Sequence, residues 1–186
     1  MENKTRCAWC EKDDLYRNYH DNEWGKPVYD DETIFEFLIL ETFQAGLSWY
    51  TVLAKRENFR KAFDNFDLMK IANYSEDKMA ELGEDAGIIR NKLKIKATVT
   101  NAQAFIKVQE EFGSFSKYIW GFVDGKPIDN KPKTINEVKA TTPISDALSK
   151  DLKKRGFKFV GSTVMYAHMQ ATGMVNDHVV DCHTRK

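Results

Sequence analysis

A chain of 186 residues with 42% apolar and 30% charged side chains can bury a real core, and its composition excludes a disordered tail, a collagen-like fibre and a membrane protein. Its densest apolar stretch, Ile34 to Leu40, is broken by Glu36 and falls far short of a bilayer span. The net charge of zero hides an asymmetry. Residues 1–90 carry 12 Lys+Arg against 19 Asp+Glu, a balance of −7, and residues 91–186 carry 16 against 9, a balance of +7. That split is compatible with one nucleic-acid face, although on charge alone chance scatter is the slightly better account.

The N-terminal run Met-Glu-Asn-Lys-Thr-Arg has no apolar signal region, so the protein reads as intracellular and cytoplasmic. In that compartment three cysteines point to metal ligation or ordinary burial, not to a disulfide framework. Only four prolines and ten glycines are present, and helical signals dominate. Asp30 or Asp31 can cap a helix running through Ile34, Phe35, Leu38 and Glu41. Gly46 interrupts, and Ser48 caps a helix carrying Trp49, Val52, Leu53 and Arg56. Phe59, Phe63 and Phe66 continue an aromatic core. Ser75 starts the next helix, and Leu82 to Gly87 forms a short turn. Ile88, Ile95, Val99, Ala102 and Ile106 then follow at helical spacing, with Lys92, Lys94 and Lys96 off that stripe. Residues 124–143 hold three of the four prolines and read as a loop. Ser145 caps a helix to Arg155, ended by Gly156, and Gly161-Ser162 opens a last helix to Thr172, ended by Gly173. The expected architecture is all-α, one globular unit over 1–186 built from many short helices.

Four constellations can carry chemistry. Cys7, Cys10 and His20 lie near one end of the chain, and His178, Cys182 and His183 near the other. His178 and Cys182 are spaced to share one face of a helix, and Cys7 with His20 can complete a closed tetrahedral zinc site. Cys7-x-x-Cys10 is a competing zinc or redox spacing. The segment from Tyr16 to Gly25 is dense in aromatics beside amides and carboxylates, which suits a pocket that stacks a flat ring and reads its edge. Taken singly, each of those aromatics is more often a core residue. Glu41 ends an apolar stripe, which raises its proton affinity unless a partner compensates, and Gly46-Leu47 pairs a small residue with an apolar wedge suited to a gap in a base stack. The helix, glycine turn and helix around Gly87 resemble a helix-hairpin-helix over about 75–106, where Arg90, Lys92 and exposed amides can hold a phosphate.

Five blocks then stand in order: Tyr19-His20-Asp21-Asn22-Glu23-Trp24-Gly25, Gln44-Ala45-Gly46-Leu47-Ser48-Trp49, Asp85-Ala86-Gly87-Ile88-Ile89-Arg90, the run from Lys153 to Gly161, and Asn176-Asp177-His178-Val179-Val180. From Cys7 to Cys182 the chain strongly resembles the 3-methyladenine DNA glycosylase I family. The resemblance implies a helix-hairpin-helix glycosylase fold with one structural zinc joining the terminal segments 7–20 and 178–182. Its ligands would fall on Cys7, His20, His178 and Cys182, with Cys10 outside the set. It further implies a base pocket of Glu41, Tyr16, Tyr19 and Trp49 with Trp9 and Trp24 nearby. Gly46 and Leu47 would probe the gap left by an extruded nucleotide, and Gly87, Arg90 and Lys92 would contact DNA. The expected activity is monofunctional release of 3-methyladenine from alkylated double-stranded DNA, by a monomer with no obligate protein partner and no membrane. Many relatives in the wider superfamily use an aspartate downstream of the hairpin, and the sequence does not identify one here: Glu110 and Glu111 stand roughly where it would be sought but read as a solvated helix face. That gap keeps open a zinc-stabilised damage-binding module without turnover.

Overall fold

The computed structural model describes residues 4–185; Met1 to Asn3, the first half of the N-terminal run read for a signal, and Lys186 lie outside the described residues. Ten α-helices are described: α1 Asp14–Asn22, α2 Asp31–Gln44, α3 Trp49–Leu53, α4 Arg56–Ala62, α5 Leu68–Ala72, α6 Glu76–Glu84, α7 Lys92–Phe112, α8 Phe115–Trp120, α9 Pro143–Lys154 and α10 Ser162–Ala171. Two short strands, β1 Ile128–Asp129 and β2 Val175–Asn176, pair in parallel with Ile128 opposite Val175 and Asp129 opposite Asn176. No helix among the described residues is long and apolar enough to cross a membrane.

The chain folds around α2. Asp30 caps it through Thr33 N–H at 2.8 Å, and Ile34, Phe35, Leu38, Ile39, Leu40 and Phe43 are all buried. A helix apolar on nearly every side must be surrounded, and α2 packs against α3, α7, α8 and α10. Each such side chain contributes roughly 1.5–3 kcal/mol of burial. Glu36, which breaks the apolar run, turns outward to Arg60 at 2.7 Å. Phe59, Phe63 and Phe66 are buried as expected, stacked beside Phe43.

Several predicted boundaries move. Ser48 does cap α3, accepting from Thr51 N–H at 3.2 Å, but that helix ends at Leu53 and Arg56 opens α4. Leu82, Gly83 and Glu84 finish α6 and do not belong to the turn, which covers residues 85–91. Ile88 is buried within that turn, and α7 begins only at Lys92, because Asn91 caps it through Lys94 N–H at 3.1 Å. Lys94, placed off the apolar stripe by spacing, is buried. Thr142 caps α9, where Ser145 was expected: Ser145 is the third helical residue of a reciprocal capping box, with Pro143 in the first turn. The proline-rich segment 124–143 contains β1 and a 3₁₀ turn at Ile135–Glu137. His178 and Cys182 lie on a turn closed by Cys182 N–H to Val179 O at 2.9 Å, with no helix between them.

Candidate functional site

α1, the C-terminal end of α2, the start of α3 and the inner face of α10 surround a cavity of about 280 Å³. Tyr16 and Tyr19 are three residues apart on α1 and present one face. Trp9 meets Tyr16 edge-on at 4.8 Å between ring centroids and Trp24 at 5.0 Å, and Tyr19 lies 5.4 Å from Trp49. All five rings line the cavity with Glu41. The sequence-derived aromatic set is therefore brought together in one place.

Glu41 is buried at the base of this cage. Its Oε2 lies 2.6 Å from Nδ1 of His168, itself fully buried on α10, while Glu41 Oε1 has no hydrogen-bond partner among the described residues. Burial pushes the Glu41 carboxyl above its ordinary range, and the His168 contact partly opposes that. Trp49 Nε1 and His168 Nε2 are likewise buried without partners among the described residues. Unpaired buried polar atoms are costly, and the two that belong to cavity-lining residues, Glu41 Oε1 and Trp49 Nε1, mark a place where a ligand completes the hydrogen bonds.

Residues 44–47 form a turn between two cavity-lining residues, Gln44 and Trp49. Ala45 has φ −47° and ψ 115°, Gly46 has φ +80°, and Leu47 N–H donates to Gln44 O at 2.6 Å. These are type II turn angles, and the positive φ at the third position requires glycine. Leu47 leaves the turn 43% exposed. In the α6–α7 turn, Gly87 N–H is taken by Asp85 Oδ1 at 2.7 Å, and Lys55 Nζ holds Ala86 O and Gly87 O at 3.1 and 3.2 Å. No protein acceptor engages the Ile89 and Arg90 amides among the described residues, and Arg90 and Lys92 are exposed. The amides of this turn left without a protein acceptor among the described residues are thus those of Ile89 and Arg90, since Ile88 N–H donates to Asp85 O at 3.3 Å.

A second cluster joins the two ends of the chain. Cys7, His20, His178 and Cys182 are all buried, and their ligand atoms lie within 4.8 Å of one another. His178 Nδ1 and His20 Nε2 are 3.2 Å apart, and the recorded sulfur–nitrogen separations are 3.5 to 3.7 Å. A tetrahedron with ordinary zinc bond lengths has edges of about 3.3 Å between nitrogens and about 3.6 Å between nitrogen and sulfur. The outer ring nitrogens are also engaged, His20 Nδ1 by Asp21 at 2.8 Å and His178 Nε2 by Trp24 O at 3.1 Å, which orients both rings for a metal. Burial pushes the Cys7 thiol up to about 12 and the His178 imidazole down to about 4, so a thiolate there needs a cation and the histidine is neutral, as a ligand must be. Cys10 points away, donating to Cys7 O at 3.1 Å. His183 pairs with Asp21 at 3.1 Å.

Sequence reasoning missed His168, Gln44 and Gln170, and the wall formed by Ile135, Val138 and Lys139. One signal was available: Ala167 and Ala171, a turn apart on α10, leave an open strip on a helix otherwise rich in large side chains. Residues 9–186 match the family model for methyladenine glycosylase. The chain belongs to the methyladenine glycosylase family. The chain is 50% identical over 177 residues to DNA-3-methyladenine glycosylase 1 of Escherichia coli strain K12, covering 95% of each chain. It is 47% identical over 178 residues to the DNA-3-methyladenine glycosylase of Haemophilus influenzae, covering 96% of each. Its fold matches a structure describing 3-methyladenine recognition by the Staphylococcus aureus glycosylase with a TM-score of 0.94, 37% identity and coverage of 97% and 96% of the two chains.

Proposed function

We propose that the protein flips 3-methyladenine out of alkylated double-stranded DNA and hydrolyses its N-glycosidic bond without cutting the strand. The observation that carries this reading is a buried carboxylate oxygen left unpaired inside a cage of aromatic rings. Methylation at N3 gives the base a delocalised positive charge and a weakened bond to its sugar. The rings attract that charge through their quadrupoles as well as through contact area. Glu41 Oε1 accepts from the base edge while His168 holds Oε2, so the carboxylate keeps one lone-pair face for the ligand. Undamaged adenine is neutral and firmly bonded, and it gains little from the same groups. Extrusion costs a few kcal/mol, least for a damaged base. Leu47 fills the vacated gap, and the Ile89 and Arg90 amides with the Arg90 and Lys92 side chains hold the backbone. Because the leaving group is already good, Glu41 positions the cation, and water attacks the sugar carbon from the solvent side.

The metal chemistry of the second cluster is structural. Cys7, His20, His178 and Cys182 would hold one zinc ion with no open position, tying the terminal segments 7–20 and 178–182 together. The chain acts as a single-domain cytoplasmic monomer.

Incubation of the protein with methylated duplex DNA, followed by chromatography of the free bases, is expected to show 3-methyladenine with the strand intact. No free base would leave a damage-binding module, and a borohydride-trapped protein–DNA adduct would overturn the monofunctional step. Trp49→Ala is expected to weaken binding of the free base by roughly 1–3 kcal/mol, the usual cost of losing one stacking ring. Titration of 3-methyladenine against the quench of the remaining cage tryptophans measures it.

A further inference from the structure

Lys94 is a cation in an unexpected place. It sits in the first turn of α7, 5% exposed, and its Nζ donates to Phe43 O at 2.7 Å and Ala45 O at 2.6 Å. Burying an ammonium is costly unless hydrogen bonds replace its water. Here the acceptors are carbonyls at the C-terminal end of α2, the negative end of its dipole, which have no other partner among the described residues. The Phe159 ring lies 5.9 Å from the same nitrogen.

Ala45 O matters most. Type I and type II turns differ by a flip of the central peptide, and in the turn at 44–47 that peptide joins Ala45 to Gly46. Lys94 grips its oxygen on the protein side. In a trans peptide the Gly46 N–H then points the opposite way, and Leu47 leaves the turn in the direction set by that orientation. Lys94 also stands three residues after the exposed end of the α6–α7 turn, so one side chain links the two segments that face the backbone and the gap.

We propose that Lys94 is a positioning residue for base extrusion: its two hydrogen bonds lock the Ala45–Gly46 peptide, hold Leu47 ready to enter the helix, and couple that wedge to the phosphate-holding turn. The inference rests on the reading of Leu47 given above and deepens it. It predicts a split between two measurements. Lys94→Met is expected to lower single-turnover release of 3-methyladenine from methylated duplex DNA roughly tenfold or more, the scale of losing charge-assisted hydrogen bonds. Affinity for free 3-methyladenine, which needs no extrusion, should stay within about twofold by the same logic, because the cage is untouched. Lys94→Arg, which keeps the charge and two donors, should restore most of the rate. In a Leu47→Ala background Lys94→Met should add little, because both changes disable one device.

A folded Lys94→Met protein with unchanged release overturns the proposal. So does a full multiplicative loss in the Leu47→Ala background, equal loss of free-base affinity, or a Leu47→Ala protein that releases base at the wild-type rate. If Lys94→Met does not fold, Lys94→Gln, which retains one donor group, is judged by the same readings. Failure of the functional reading is distinct, because it shows as an inactive wild-type protein.

Discussion

Cys182→Ala is expected to abolish metal retention and to lower the melting temperature by roughly 10 °C. Four buried donors at tetrahedral separations would hold one ion per chain, and removing one thiolate leaves three ligands and an open position in a water-poor site. Loss of a structural metal belongs to the small group of changes that cost about 4 kcal/mol or more, and in a chain of this size each kcal/mol moves the melting temperature by roughly 2–4 °C. Elemental analysis gives the stoichiometry, about one zinc for the parent and none for the variant by the four-ligand argument. Cys10→Ala is the control: its thiol faces Cys7 O and should leave the metal content unchanged. A Cys182→Ala protein that keeps its ion and its melting temperature would remove the site.

Glu41→Gln is expected to weaken binding of cationic 3-methyladenine by roughly 10- to 100-fold, the equivalent of about 1.5–3 kcal/mol for a hydrogen bond to a charged group. It should leave affinity for neutral adenine nearly unchanged, so the ratio of the two affinities is the decisive reading. The pH dependence has a definite sign. Burial raises the Glu41 pKa above the ordinary value of 4.5, with His168 partly opposing it. As pH falls through that raised value the carboxylate takes a proton and stops opposing the charge of the base. Base release by the parent should therefore fail at a higher pH than an ordinary glutamate would impose, and Glu41→Gln should lack that acid limb. Stability runs the other way. A raised folded-state pKa contributes stability that is present below the unfolded value and lost as pH rises through the folded one. Keeping Glu41 ionised at neutral pH is a cost, and Glu41→Gln should melt at or above the parent temperature. A variant with lower stability and an unchanged affinity ratio would take Glu41 out of the site.

What was legible in the sequence were features set by local chemistry. Asp30, Ser48, Ser75 and Gly161 mark helix starts because capping depends on a residue and its next few neighbours. Three of the five cage rings, Tyr16, Tyr19 and Trp24, were legible because they lie on one short helix and its end; Trp9 and Trp49, the latter on α3, entered only through the family resemblance. What was not legible depended on partners distant in the chain. His168 acts on Glu41 across 127 positions, and spacing alone placed Lys94 off the stripe because its acceptors are carbonyls at the end of another helix. The pairing of β1 with β2 joins residues 47 positions apart through a two-rung ladder too short to leave an alternating pattern. His178 and Cys182 were rightly paired for the wrong reason: a tight turn brings them together where a helix was expected.

Adjacent residues on α1 serve both clusters. Tyr19 lines the cavity, His20 reaches the sulfur and imidazole groups, and Trp24 touches the cavity on one side and His178, at 4.6 Å, on the other. Trimming the polypeptide back past Val179 by a carboxypeptidase would thus be felt at a wall built more than 150 positions earlier. Damage at the tail would register first as blunted lesion discrimination, before the bundle itself came apart.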